Sequence, residues 1–129
     1  LLESISNQKR RPGLVLSGDL HATGHSKIIG SGDLSFASNP IHSIITGPLG
    51  TGSGWPSTAR GTPPMVASHI RLDSPAPVTE RNGFTLLDIT PDNIRVRLFA
   101  WRRENSSLTD IDALEPYHDV KIKKQGSSI

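Results

Sequence analysis

The sequence predicts a β-rich α/β chain, and three observations carry that expectation. Ile94, Val96, Leu98 and Ala100 alternate with Arg95, Arg97, Phe99 and Trp101, the period of a half-buried strand. Short apolar runs recur between turn residues, with 12 glycines and 10 prolines in 129 residues. Helical spacing shows at residues 1–10, where Leu1, Leu2 and Ile5 would share one face of the end of a helix.

The elements follow in chain order. Leu14–Ser17 lies between Pro12-Gly13 and Gly18 and reads as a buried strand that ends at a turn. Lys27–Gly30 and His42–Thr46 are two further short strands. Residues 47–64 hold five glycines and four prolines, too many for a regular element. Residues 65–72 fit either strand or loop. The firmest element is a hairpin over 83–101, pairing Gly83–Thr90 with Ile94–Trp101. Pro91 fixes φ in its turn, and Asp92 and Asn93 tolerate turn geometry. Ile94, Val96 and Leu98 should face inward, and Trp101 belongs to the core. Pro116 interrupts any helix near 111–118, and Val120–Lys123 alternates as a last strand. The whole is a single domain over 1–129 or the C-terminal part of a larger one, long enough to bury roughly two-thirds of its unfolded surface.

Chemistry concentrates where the first strand stops. Gly18-Asp19-Leu20-His21 presents a carboxylate and an imidazole two residues apart. Buried strands ending in such groups hold metal ions at sheet ends in many α/β enzymes, so Asp19 and His21 are candidate metal ligands. The alternative is a turn in which Asp19 caps the backbone and His21 is a surface residue. His25, four residues on, is either a group behind the ligands, a proton donor to a leaving group, or a plain loop histidine. His42, His69 and His118 read as structural histidines. Trp55, in the glycine-rich segment, either lines a cleft or is buried beneath that segment.

Residues 14–25, Leu-Val-Leu-Ser-Gly-Asp-Leu-His-Ala-Thr-Gly-His, resemble the Gly-Asp-x-His segment of PhoD-like alkaline phosphatases, members of the calcineurin-like metallophosphoesterases. The stretches from His42 through Gly52, Gly83 through Trp101, and Leu114 through His118 match in the same order. The resemblance spans most of residues 13–122, and Gly-Asp-x-His is its chemically specific part. Gly-Asn-His and Gly-Asp-x-x-Asp, which also build that superfamily's two-metal site, do not occur. Gly32-Asp33-Leu34-Ser35-Phe36 fails at the last position of the second. The match is therefore to the superfamily's last motif, with Asp19 in place of its first histidine.

The resemblance implies the C-terminal half of an α/β/β/α sandwich with short strands and long loops. It implies a fragment of a phosphoesterase hydrolysing phosphate esters by water attack at two metal ions. Leu1 as first residue and Met65 as the one methionine fit a fragment. Asp19 and His21 would be ligands, one toward each metal, with the rest supplied by the N-terminal half of the enzyme. Calcium, manganese, iron and zinc all suit such ligands. The chain alone would then be inactive. The alternatives are a non-catalytic β-rich structural domain and an anion-binding module, in both of which Gly18–His21 is only a turn.

Composition narrows the field. There are no cysteines, which removes disulfides, thiolate sites and cysteine nucleophiles. The net charge is +2, with lysines and arginines grouped at 9–11, 95–103 and 121–124. Aromatics make up 5% and do not interleave with these groups, so nucleic acid is not the expected partner. No apolar run is long enough to span a membrane, and no signal peptide is visible. Gly47–Gly54 lacks the Gly-Lys-Ser/Thr ending of a phosphate loop.

Overall fold

The N-terminal residues form the expected short helix, α1 (Leu2–Ser6), in a computed structural model that describes residues 1–8, 10–18, 20–50, 67–102 and 104–123. α1 sits on the first strand, β1 (Gly13–Ser17), because Gly13 has no side chain: a Cβ there would come 2.9 Å from Ile5 Cγ2. Behind α1, Ser6 Oγ donates to Asn39 O at 2.9 Å and Asn39 Nδ2 donates back to Ser6 O at 2.8 Å.

Two sheets make up the described residues: the chain is β-rich, with few helices. The first sheet contains β1, β2 (Thr23–Ser31), β3 (Leu34–Ser35), β4 (Ile41–Thr46) and β5 (Ile70–Thr79). β4 lies between β1, which it pairs in parallel, and β2, which it pairs antiparallel. β3 and β5 both pair with β2. The second sheet is an antiparallel meander of β6 (Gly83–Ile89), β7 (Asn93–Ala100) and β8 (His118–Lys123). Between β7 and β8, a 3-10 helix over Leu108–Ala113 is capped by Ser107, whose backbone N–H donates to Asp110 Oδ2 at 2.9 Å.

The sheets pack face to face. Ile44 and Ala76 from the first meet Ile94, Val96, Leu98 and Ile122 from the second in one buried cluster. Strand alternation puts His25, Lys27 and His42 on the same face as Ile44 and Ala76, since His25 pairs with Ile44 and Ala76, and Lys27 with His42. In the second sheet His118 pairs with Leu98 and so points the same way as Val120 and Ile122. Three histidines are thereby aimed into the space between the sheets.

The hairpin matches its expected register: Gly83 pairs with Ala100 and Ile89 with Ile94. Thr90 tightens the turn, its Oγ1 accepting from the backbone N–H of Asn93 at 3.0 Å. Ile94, Val96 and Leu98 are buried, as is Trp101. Phe99 is buried as well, on the opposite face of β7, where Phe84 stacks on it with centroids 4.8 Å apart.

Other expectations are corrected. Leu14–Ser17 is not a buried strand: among the described residues β1 pairs on one side only, and Leu16 is 48% exposed. Lys27–Gly30 is part of the longer β2, which takes in His25, so that histidine lies in a strand and not in a loop. β5 runs past the 65–72 segment through Pro75 and Pro77; both sit in a largely exposed strand of irregular register, where missing N–H groups cost least. Residues 51–64 of the glycine-rich segment, Trp55 among them, lie outside the described residues. No helix among the described residues is long and apolar enough to cross a membrane.

Candidate functional site

The turn after β1 is fixed at both ends. On its entry side, Thr46 Oγ1 donates to Ser17 O at 3.2 Å, tying the last residue of β1 to the last of β4. On its exit side Ala22 and Thr23 are buried, and Tyr117 Oη donates to Thr23 Oγ1 at 2.7 Å. The Tyr117 ring is itself covered by the Arg81 guanidinium, 4.6 Å from its centroid. Gly47, following β4, adopts φ +83° against Thr23, a conformation and a closeness that favour glycine.

Between these anchors His21 is half-buried, with φ of 41°. It is the single non-glycine residue with positive φ among the described residues. Left-handed backbone costs an ordinary residue on the order of 1–2 kcal/mol, and such conformations gather at functional sites. Asp19, the other expected ligand, lies outside the described residues. Among the described residues no group of three or more His, Asp or Glu side chains is arranged so as to hold a metal ion.

His25 has a different setting from His21. It is fully buried, and both ring nitrogens are engaged: Nδ1 stands 2.8 Å from His118 Nε2, and Nε2 stands 2.9 Å from His42 Nδ1. The three rings form one chain from β4 through β2 to β8. Burial first, then the fields of His42, His118 and Lys27, lower the His25 pKa to about 4. Burial and Lys27 bring His42 to about 4 as well. His118 is also lowered, by burial and Lys27, with Asp119 opposing. All three imidazoles are thus neutral at neutral pH. Each N···N contact then holds a single proton, and the protons run either from His118 toward His42 or the reverse.

The sequence reading of His42 and His118 as structural histidines did not foresee this chain. The alternation in Val120–Lys123 already set the parity that turns His118 inward. Pairing among β2, β4 and β8, which brings the rings together, is a long-range property that no local pattern carries.

Lys27 is the cation whose field acts on His42, at the chain's β4 end. It pairs with His42 across the β2–β4 ladder, and its Nζ lies 3.2 Å from Asp73 Oδ2. Beside it a cleft of about 400 Å³ opens between the start of β4 and β8. No protein-family model matches this chain, and neither the curated proteins nor the solved structures provide a match.

Proposed function

We propose that this chain is the C-terminal portion of a metal-dependent phosphoesterase, with Gly18–His21 as its contribution to a two-metal site. The observation that carries this reading is the left-handed backbone of His21, φ 41°, in a turn pinned on both sides directly after β1. Left-handed backbone is uncommon outside glycine and gathers at functional sites, and here it falls between two hydrogen-bonded anchors. The resemblance of residues 14–25 to the Gly-Asp-x-His segment supplies the chemical class.

The open edge of β1 supports incompleteness. Leu14-Val15-Leu16 has the apolar make-up of a strand covered on both faces, yet among the described residues β1 pairs only with β4. A strand from an N-terminal portion would add there and bring the missing ligands to the same sheet end. Asp19 and His21 would each hold one ion. Bound metals would supply Lewis-acid polarisation of the phosphoryl oxygen and an activated water. In that assembly the Ser17–Thr46 and Thr23–Tyr117 bonds hold His21 in place, so that little ordering is left to metal binding.

The test joins the N-terminal portion to residues 1–129 and follows metal-dependent hydrolysis of an aryl phosphate ester. Hydrolysis that His21→Ala removes almost entirely, with the fold kept, is the expected result. The 129-residue chain alone should not turn over. Full activity of the His21→Ala protein would overturn the assignment.

A further inference from the structure

We propose that the cleft between the start of β4 and the edge strand β8 is a binding site for a small organic phosphate, with Lys27 and His42 receiving the phosphoryl group. The cleft measures about 400 Å³, within the range of small-molecule sites and larger than a bare phosphate ion needs. Its lining divides by chemistry. Lys27 and the buried His42 form its base, while the exposed Lys121 and Lys123 stand at its rim; Pro40 and Val120 supply apolar wall. No carboxylate is among its lining residues.

The donors are available. Lys27 has three N–H donors and gives one to Asp73, which leaves two for a ligand. His42 Nδ1 is engaged by His25, so Nε2 is the atom left to serve the cleft. When the chain's protons run from His118 Nε2 to His25 Nδ1 and from His25 Nε2 to His42 Nδ1, His42 must carry its own proton on Nε2. A neutral histidine is then held as a donor without acquiring charge, and an anion in the cleft selects that direction of the chain. The neutral state agrees with the lowered pKa of His42. Lysines at base and rim offset the charge of a phosphate dianion.

This site is separate from His21. The cleft borders Pro12 and Pro40, just before β1 and β4, whereas His21 follows the other end of β1. The length of β1 lies between them. The proposal stands whether or not a metal binds at Gly18–His21.

The experiment titrates residues 1–129 with phenyl phosphate, followed by amide and imidazole nitrogen NMR. Saturable shifts are expected at Lys27, His42 and Lys121, with the His42 ring settling as its Nε2–H tautomer. Lys27→Met should weaken binding at least tenfold, and Lys123→Gln should weaken it less. Arg102→Met, at a different cavity, should leave it unchanged. Inorganic phosphate should shift the same residues at higher concentration, because it lacks the apolar contact. Absence of saturable shifts at these residues would overturn the proposal. So would shifts centred on His21, unchanged affinity in Lys27→Met, or a His42 ring that keeps its proton on Nδ1 in the bound state.

Discussion

Nε2 of His25 and Nδ1 of His42 stand 2.9 Å apart in the space between the two sheets, with His25 fully buried and His118 closing the chain at 2.8 Å. Neutral imidazoles are the groups that satisfy one another in such a place, since each offers one donor and one acceptor. A proton added to the chain is opposed by burial and by Lys27. Acid should therefore act on the fold through these rings.

Both His25 and His42 sit near a pKa of about 4 in the fold against 6.5 in the unfolded chain. Between those values the unfolded chain binds more protons, so stability falls as the pH falls. The stabilisation is complete above about pH 6.5 and is lost progressively toward pH 4. Each histidine adds a slope of up to about 1.4 kcal/mol per pH unit in that window. Urea unfolding at pH 7.5 and pH 5 should show this loss, and the His25→Gln/His42→Gln double variant should show a much shallower one. Equal losses in both proteins would place the acid sensitivity elsewhere.

The second sheet gives a contrast between neighbouring positions of one strand. Leu98 is 0% exposed in the cluster that joins the two sheets, and Leu98→Ala should cost about 2–5 kcal/mol. Arg95 lies on the other face, paired with Asp119 and with its side chain 38% exposed. Arg95→Ala should cost far less, and that cost should shrink further in high salt, which screens an exposed ion pair. Thermal shifts of the same size for the two substitutions would contradict the register of β7.

Tyr117 reaches from the segment before β8 to the far end of the candidate metal-ligand turn. Removing its hydroxyl leaves Thr23 Oγ1, in a fully buried residue, without that 2.7 Å bond. Tyr117→Phe should cost about 1 kcal/mol of stability. In the complete phosphoesterase it should also lower turnover several-fold, because the exit anchor of the His21 turn is loosened. A variant with wild-type activity but reduced stability would show that the anchor has no bearing on the site.

What the sequence disclosed divides along the line between local and long-range. The hairpin was legible because Ile94, Val96 and Leu98 alternate and Thr90–Asn93 is a turn; both signals lie within a few residues of where they act. β1 was read as buried from the Leu14–Ser17 run and its flanking Pro12-Gly13 and Gly18, whereas its pairing is set by β4, 28 positions away. Residues 65–72 were open between strand and loop, and β5 (Ile70–Thr79) takes its place only by pairing with the distant β2. The three-histidine chain joins His25 to residues 17 and 93 positions away. No spacing rule covers contacts of that range, and their inward parity was the one part written locally.

The backbone of His21 separates function from stability more sharply than any other position here. At φ 41° an alanine bears the same left-handed cost as histidine, while glycine bears almost none. His21→Gly should therefore be about 1 kcal/mol more stable than His21→Ala. Activity in the complete protein should be absent from both variants, because neither has an imidazole to offer a metal. Denaturation midpoints of the three proteins, measured beside hydrolysis of an aryl phosphate, give both comparisons at once. If His21→Gly is the less stable of the two variants, the turn does not hold its left-handed conformation. If it retains activity, the imidazole is not a ligand.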